Sequence, residues 1–177
     1  ELTSLSKALR SRAEHAMRTA IEAVPDGCWH ASVDADGFDN EETHIECELT
    51  IKGSDLHLDF AGTSPQIARG INSVLKYTYS YATYPIKCAL DPDSPRNEGS
   101  FLPVTVSAPE GSILNPTSPA PTAARHLTGH FLPGVIYRCL AQIVPEKVSA
   151  DSGSSPTLRT VYGGVDLQGN RFNQVLF

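Results

Sequence analysis

The sequence predicts an α+β fold in which about three helices pack on an antiparallel-rich mixed sheet. Apolar residues recur at helical spacing in three segments, at residues 3–23, 71–88 and 120–143. Between these segments, shorter stretches alternate polar and apolar residues with the period of two that is typical of half-buried strands, most clearly at residues 44–51. The 13 glycines and 13 prolines supply the turns that separate them. Helices and strands in this order favour an α+β architecture.

The first helix is predicted at residues 3–23, where Leu5, Leu9 and four alanines recur on one face. The sequence Pro25-Asp26-Gly27 is typical of a turn and ends this helix. Polar residues lie between the apolar ones, so the helix is predicted to be amphipathic.

Strands follow the first helix. We predict a strand at residues 28–33, an acidic loop at 34–42, and a hairpin formed by residues 44–51 and 56–60. The turn of this hairpin is placed at residues 52–55, which contain Gly and Asp.

The second helix is predicted at residues 71–88, with a kink or an earlier end at Pro85. An irregular loop at 89–102 follows it. Residues 104–106 are then predicted as a short strand, with residues 112–114 pairing beside it.

The third helix is predicted at residues 120–143, interrupted at Pro133-Gly134 and closed by Pro145. Further strands are predicted at Val148 and 158–162, and turns at Gly163-Gly164 and 168–170, the last joining a hairpin.

Size and charge narrow the possible functions. With 177 residues the chain can bury a core without disulfides or a structural metal. The net charge is −6 and the 14 Lys and Arg residues are scattered, whereas nucleic-acid binding needs clustered cations. The sequence has no apolar stretch near the roughly 20 residues that span a bilayer. We therefore expect no binding to nucleic acid or membrane.

The cysteines indicate the compartment. They lie far apart, without a C-x-x-C pair, whereas cysteine-based zinc sites usually contain one. With no signal peptide recognisable, we expect buried, reduced thiols, a cytoplasmic location and no metal site in this chain. The four residues are Cys28, Cys47, Cys88 and Cys139.

Other candidate sites have ordinary structural explanations. Residues 34–42 are acidic, but their glycine and phenylalanine do not match a calcium loop, so a solvated loop is expected. His126 and His130 have the i, i+4 spacing of a metal pair, without an identifiable third ligand, and a polar helix face is the preferred interpretation. His44 and His57 are predicted to be cross-strand neighbours on the surface.

Four residues are predicted to contact a substrate. Asp59 ends a strand before a glycine-containing bend, where side chains commonly reach a cleft. Asn72 and Asn115 stand near the starts of a helix and a proline-rich turn, where capping is the alternative. Arg125 falls early in the third predicted helix, where the helix dipole does not favour a cation, and can bind a carboxylate or a partner subunit. The sequence contains neither a Gly-x-Ser-x-Gly elbow nor a phosphate-binding loop, so a complete active site is not expected.

Several ordered motifs resemble the hydantoinase B/oxoprolinase family. This family comprises the B subunit of ATP-dependent N-methylhydantoinase, the corresponding half of 5-oxoprolinase and the related acetone carboxylase subunit. The likeness covers about residues 12–164 and includes a segment at 16–27. The other motifs are Asp59-Phe60-x-Gly62-x-Ser64-Pro65-Gln66, Leu90-Asp91-Pro92-Asp93-x-Pro95-x-Asn97-x-Gly99 and Pro109-Glu110-Gly111-Ser112-x-Leu114-Asn115-Pro116.

The resemblance implies a part in the ATP-dependent opening of small cyclic amides. It also implies a hydantoinase A-type partner that carries the nucleotide-binding fold, a hetero-oligomeric full enzyme, and a divalent metal in that enzyme. The family's metal-associated segments, Gly-Gly-Thr-His and His-His-x-Asp, do not occur in this sequence. We therefore expect this chain to bind no cofactor itself.

We expect residues 1–177 to form a single domain, an internal fragment of a hydantoinase B-like subunit that is inactive alone and contributes cleft walls and subunit contacts. Two alternatives stay open. One is a fragment of an ATP-dependent ketone carboxylase of the acetone carboxylase type, and the other is a non-catalytic assembly module.

Overall fold

A computed structural model describes residues 2–38, 41–149 and 160–176. It confirms the α+β fold, with helices packed on one face of a four-stranded mixed sheet and a separate two-stranded sheet. Short 3₁₀ turns occupy Glu98–Phe101 and Pro145–Lys147. The helices and strands are α1 (Leu2–Glu22), β1 (Gly27–Phe38), β2 (Glu41–Lys52), β3 (Asp55–Asp59), α2 (Leu75–Leu90), β4 (Val104–Ser107), α3 (His126–Gly129), α4 (Phe131–Leu140), β5 (Thr160–Val165) and β6 (Arg171–Leu176).

The main sheet has the strand order β1-β2-β3-β4. β1, β2 and β3 are antiparallel neighbours, as expected for consecutive hairpins. β4 pairs parallel to β3, and the connection between them contains α2, because a parallel pair needs a long crossover.

The strict alternation of β2 and β3 determines which face of the sheet is buried. Apolar side chains from both strands meet those of α1, α2 and α4 in one core cluster. Complete exclusion of these side chains from water provides the main stabilisation of the fold. The most deeply buried large residues of the core are Met17, Ile21, Leu49, Ile51, Leu56, Leu58, Phe60, Ile86, Ile113, Leu114, Leu132 and Ile136.

The predicted acidic loop at 34–42 is wrong, because β1 and β2 continue through most of it. Asp34 lies opposite His44 and Ala35 lies opposite Thr43 in the β1–β2 ladder. A register shift follows between Ala35 and Phe38. The alternation of acidic and small residues in this segment is that of a strand whose polar side faces solvent.

Pro85 neither ends nor shortens α2, which begins at Leu75 instead of at the predicted residue 71 and runs to Leu90. Pro85 is buried against the core, so packing outweighs the one backbone hydrogen bond that proline removes.

The third predicted helix is shorter than expected and divided elsewhere. It forms α3 and α4, with the break at His130 and not at Pro133-Gly134. Pro133 is the third residue of α4, where a backbone N–H has no acceptor within the helix, so it is tolerated there. The prolines at 119 and 121 keep the preceding residues out of a helix.

Residues 112–114 do not pair beside β4 as predicted, since Ser112 forms only isolated bridges with Pro65 and Asn115. Val148 lies outside any strand, and Gly163-Gly164 is part of β5 instead of a turn. The predicted turn at 168–170 is confirmed between β5 and β6. Residues 158–159 of the last predicted strand lie outside the described residues.

Two of the four cysteines, Cys47 and Cys139, are buried as predicted, whereas Cys28 and Cys88 are exposed. Among the described residues, no helix combines the length and the apolar character that crossing a membrane requires.

The segment around Gly99 anchors α1 to the fold. Asn97 donates from Nδ2 to the Leu9 carbonyl at 3.2 Å, and its Oδ1 accepts from the Gly99 N–H at 2.8 Å. A Cβ at Gly99 would stand 1.9 Å from the Arg10 carbonyl oxygen, so only glycine allows this approach.

Substituting Gly99→Ala is expected to lower the free energy of unfolding by about 1–3 kcal/mol, because α1 must move away to relieve the clash. Urea denaturation followed by circular dichroism measures this loss. Gly70→Ala is the matched control, since an added Cβ there meets no atom closer than 3.5 Å. Equal unfolding free energies for the two variants would contradict the proposed close contact.

Candidate functional site

The face of the main sheet that turns away from the helices is polar. We call it the polar face, and define it as the outward side chains of β1 to β4. Strand alternation places them there, opposite the core residues of the same strands. Its members are Cys28, His30, Ser32, Asp34, Asp36, His44, Glu46, Glu48, Thr50, Lys52, Asp55, His57, Asp59, Thr105 and Ser107.

Strand register lines up four of these residues across the whole sheet. His30 lies opposite Glu48, Glu48 opposite Asp59, and Asp59 opposite Ser107. Neighbouring strands are about 4.8 Å apart, so the row brings an imidazole, two carboxylates and a hydroxyl into one band. Asp59 therefore belongs to a cluster, which its position at a strand end alone did not show.

Asp59 ends a hydrogen-bonded chain of side chains. Ser107 Oγ donates to Asp59 Oδ1 at 2.8 Å and lies 3.0 Å from His57 Nε2. His57 Nδ1 lies 2.7 Å from Thr105 Oγ1. With Ser107 donating to Asp59, His57 Nε2–H donates to Ser107. Nδ1 contacts the Thr105 hydroxyl, which also lies 3.4 Å from the Leu56 carbonyl oxygen.

When the His57 ring is an imidazolium whose Nδ1–H donates to Thr105, this chain can pass the Nε2 proton through the Ser107 hydroxyl to Asp59 and leave a neutral ring. It differs from a serine nucleophile triad, in which the imidazole stands between the serine and the carboxylate. Here the serine stands between them. The arrangement is suited to general acid–base chemistry and not to covalent catalysis by Ser107.

His44 is held between two carboxylates at the other end of the polar face. Its Nδ1 lies 2.6 Å from Asp34 Oδ1 and its Nε2 lies 2.9 Å from Glu46 Oε2. These contacts, first with Asp34 and then with Glu46, raise the pKa of His44 above its ordinary value against an opposing effect of burial. The predicted pairing of His44 with His57 is wrong, since His57 lies opposite Thr50.

The raised pKa of His44 makes a testable prediction. The stabilisation from its two ion pairs is fully present below the unfolded-state pKa, about 6.5, and is lost as pH rises through the folded-state pKa. NMR titration of the His44 ring should give a pKa above 6.5, and Asp34→Asn should lower it. Asp36→Asn, two residues along the same strand, is the control and should change it much less. An unchanged His44 pKa in Asp34→Asn would contradict the assignment.

The loop after β3 extends the sheet and joins two of the sequence motifs. Ser64 Oγ accepts from the His44 N–H at 2.8 Å, and Ser64 N–H donates to the His44 carbonyl at 2.9 Å. Gln66 Oε1 accepts from the Thr117 N–H at 2.6 Å, while the Gln66 N–H donates to the Gly111 carbonyl at 2.7 Å. These hydrogen bonds fix the loop after β3 to His44 of the polar face and to the segment that contains Gly111 and Thr117.

Asn72 has a structural role in this fold. It is completely buried, its Oδ1 accepts from the Ile67 N–H, and its Nδ2 donates to the carbonyls of Ile67, Arg69 and Pro121 at 2.8–2.9 Å. A ligand has no access to an amide that is enclosed in this way. The alternative of helix capping is wrong, because α2 has Val74 at its N-cap and no side-chain cap, and Asn72 binds loop backbone groups instead.

Asn115 closes the turn of its motif. Its Nδ2 donates to the Ala108 carbonyl at 3.0 Å, and its carbonyl accepts from the Gly111 N–H at 2.9 Å. The side chain is half-buried. It lies on a turn and not on the polar face, so the structure does not bring Asn115 and Asp59 together in one hydrogen-bonded cluster.

Arg125 immediately precedes α3 and is exposed, instead of lying inside a long helix. Its guanidinium carbon stands 5.1 Å from the centroid of the Tyr77 ring, a cation–π contact. Tyr77 stacks on Tyr81 at 4.6 Å, and His130 meets the edge of Tyr81 at 6.0 Å. Burial and then Tyr81 raise the pKa of Tyr77 to about 12, against an opposing effect of Arg125.

The neighbouring histidine, His130, has a lowered pKa. Burial, followed by the charge of His126, lowers the pKa of His130. Among the described residues, the His126 and His130 pair has no third ligand close enough to form a metal cluster. One other group in the described part of the chain does bring three candidate ligand atoms within 4.8 Å of one another, at Cys28, His30 and Glu48.

Sequence reasoning selected Asp59 but missed its partners. His30, Glu48, His57 and Ser107 come from four different strands, and only the register brings them together. The sequence does show one indication of this cluster. At residues 44–51 and 56–60, every second residue is polar, and these polar residues all lie on the same face of the sheet.

Comparison with known proteins identifies the family of the chain. The family model for hydantoinase B/oxoprolinase matches residues 1–176. A putative D-/L-hydantoinase B subunit from Pseudomonas sp. (strain NS671) is 36% identical over 162 residues, which are 84% of this chain and 27% of that protein.

Two solved structures have the same fold. The ATP-dependent caprolactamase from Pseudomonas jessenii superposes with a TM-score of 0.82 and 23% identity, over 97% of this chain and 30% of the other. The nucleotide-free structure of acetone carboxylase gives a TM-score of 0.70 and 20% identity, over 92% of this chain and 24% of the other. This chain therefore spans less than a third of each of these relatives. With its model matched along almost the whole sequence, the chain belongs to the hydantoinase B/oxoprolinase family.

Proposed function

We propose that residues 1–177 form one domain of the B subunit of an ATP-dependent cyclic amide hydrolase of the hydantoinase or 5-oxoprolinase type. The proposal is supported by the family of the chain and by its 36% identity to the hydantoinase relative from Pseudomonas sp.. In this proposal the domain contributes a cleft wall and subunit contacts. A hydantoinase A-type partner binds ATP, and the complex is cytoplasmic.

The observation that carries the chemical role is the chain of hydrogen bonds from His57 through Ser107 to Asp59. An unactivated amide is a poor electrophile, and phosphorylation of its carbonyl oxygen by ATP in the partner supplies the activation. Opening the ring then requires removal of a proton from water and delivery of a proton to the ring nitrogen. A carboxylate and an imidazole joined through a hydroxyl can hold and move that proton.

Arg125, which lies beside Tyr77 of α2 and not on the polar face, is proposed as a separate contact to a carboxylate of the substrate or to a partner subunit. Its exposed guanidinium carries a positive charge beside an aromatic pair and suits a carboxylate such as that of 5-oxoproline. Asn72 and Asn115 act in this proposal as the supports that hold the loops in place. The segments Gly-Gly-Thr-His and His-His-x-Asp do not occur in residues 1–177, so no residue of this chain is assigned as a ligand of the divalent metal that the family implies for the full enzyme.

The experiment is a coupled assay of the complete B subunit with its A partner. ATP consumption and ring-opened product are measured with hydantoins, 5-oxoproline and caprolactam. ATP-dependent opening of at least one cyclic amide is expected. Bicarbonate-dependent consumption of a ketone, with every cyclic amide left intact, would instead indicate the carboxylase alternative.

A further inference from the structure

We propose that Cys28, His30 and Glu48 form a zinc site with one open coordination position. The site lies at the β1 side of the polar face. It does not depend on the proposed hydrolase function, because it follows from three side chains whose positions are set by the β1–β2 ladder.

Strand geometry brings the three ligands together. Cys28 and His30 are two residues apart on β1, so both project to the same face of the sheet. Glu48 lies directly opposite His30 on β2. Thiol, imidazole and carboxylate therefore come from two paired strands, which hold a ligand set more precisely than loops do.

Two of the three distances between ligand atoms are those of a tetrahedral metal site. Cys28 Sγ lies 3.5 Å from His30 Nε2, and the same nitrogen lies 3.5 Å from Glu48 Oε2. Zinc bonds of about 2.3 Å to sulfur and 2.0–2.1 Å to nitrogen and oxygen at tetrahedral angles imply separations of roughly 3.3–3.6 Å between ligands. All three atoms lie within 4.8 Å of one another.

In this group the thiol and the carboxylate both approach the same nitrogen, Nε2 of His30. The cluster around His44 on the polar face is different. In that cluster, Asp34 contacts Nδ1 of His44 and Glu46 contacts Nε2, on opposite sides of the ring. No single ion can contact both carboxylates and one nitrogen there. The Cys28–His30–Glu48 group has the carboxylate and the thiol at the same nitrogen.

Neighbouring residues orient the ligands. Thr50 Oγ1 donates to Glu48 Oε1 at 3.3 Å, which leaves Oε2 facing His30. Gln142, just after α4, donates from Nε2 to the His30 carbonyl at 3.0 Å and holds that part of β1. Cys28 and His30 are exposed, so water or another ligand can take the fourth position.

The chemistry of the ligands selects the ion. A thiolate and an imidazole favour zinc over magnesium or calcium, which prefer oxygen ligands. Three protein ligands with an open position are typical of reactive zinc sites, whereas structural sites use four. The sequence-based expectation of no metal site relied on a missing C-x-x-C pair, a pattern that does not cover ligands brought together by strand pairing.

Titration with Co²⁺ tests the site. The purified protein is freed of metal with a chelator, and Co²⁺ is then added while near-ultraviolet and visible absorption are recorded. A thiolate-to-cobalt charge-transfer band is expected, at one cobalt per chain, and Zn²⁺ should abolish it by displacement. His30→Ala and Glu48→Gln should each weaken cobalt binding by about 10-fold or more.

Two cysteine variants decide the assignment. Cys28→Ser should lose the charge-transfer band, whereas Cys88→Ser, which alters an exposed cysteine on α2, should keep it. Circular dichroism confirms that each variant is folded. A band of equal strength in Cys28→Ser, or no cobalt or zinc retained by the wild type after gel filtration, would overturn the proposal. These readouts need no turnover, so they are independent of the test of the hydrolase function.

Discussion

Replacing Lys87 with Met is expected to lower the free energy of unfolding by about 3–5 kcal/mol, because it leaves a buried carboxylate without its cation. The Lys87 and Asp91 side chains are only 8% and 10% exposed. Lys87 Nζ donates to Asp91 Oδ2 at 2.8 Å and to the Ser94 carbonyl at 2.9 Å. The lysine thus holds the end of α2 and the loop that follows in one arrangement.

The pH dependence of this loss follows from Asp91. Burial alone raises its pKa, but the hydrogen bonds from Lys87 and Ser94 outweigh this effect, and the net pKa lies below the ordinary value. A lowered folded-state pKa stabilises the protein above the unfolded-state pKa of about 3.9, and the contribution is lost as pH falls through the folded-state value. The difference between wild type and Lys87→Met should therefore narrow in acid, where Asp91 is protonated.

Urea denaturation at neutral and acidic pH measures both effects. Lys76→Met is the matched control, since Lys76 is an exposed lysine on the same helix and should change stability little. The double variant Lys87→Met/Asp91→Leu removes both charges and should recover most of the loss. A single variant as stable as the control would show that the buried pair contributes nothing.

The parts of the fold predicted correctly from the sequence are those determined by local patterns. α1 and the β2–β3 hairpin follow from uninterrupted periodicity, and their bounds agree within a few residues. Local proline rules misplaced the later helices, because burial of Pro85 and the position of Pro133 in a first turn depend on their surroundings. The acidic residues from Asp34 onward led to the prediction of a loop, whereas the pairing of Asp34 with His44 shows that this segment is a strand.

The candidate site was less accessible to prediction, because it depends on pairing between distant segments. Ser107 comes within hydrogen-bonding distance of Asp59 only through the parallel β3–β4 ladder, and that ladder requires the crossover through α2. Asn72 shows the opposite problem. A polar residue near a helix start has the same appearance in a sequence whether it binds a ligand or, as here, holds buried backbone groups.

The second large effect is expected at Asp59. Asp59→Asn should lower kcat for ring opening by about 10²–10⁴-fold with little change in KM, because the amide cannot accept a proton. The amide oxygen can still accept from Ser107 Oγ, so the local structure should persist. Asp55→Asn is the matched control on the same strand. Asp55 pairs with Arg18 at 2.8 Å and lies outside the hydrogen-bonded chain from His57 through Ser107 to Asp59.

The most direct measurement is the rate of ATP-dependent ring opening by the complete enzyme, compared between Asp59→Asn and Asp55→Asn under saturating substrate. If the polar face transfers the proton of the reaction, kcat should fall strongly in Asp59→Asn and not in Asp55→Asn. Thermal denaturation should show that both variants are equally well folded. If Asp59→Asn retains turnover within about threefold of the wild type, the domain serves assembly and its polar face takes no part in the chemistry.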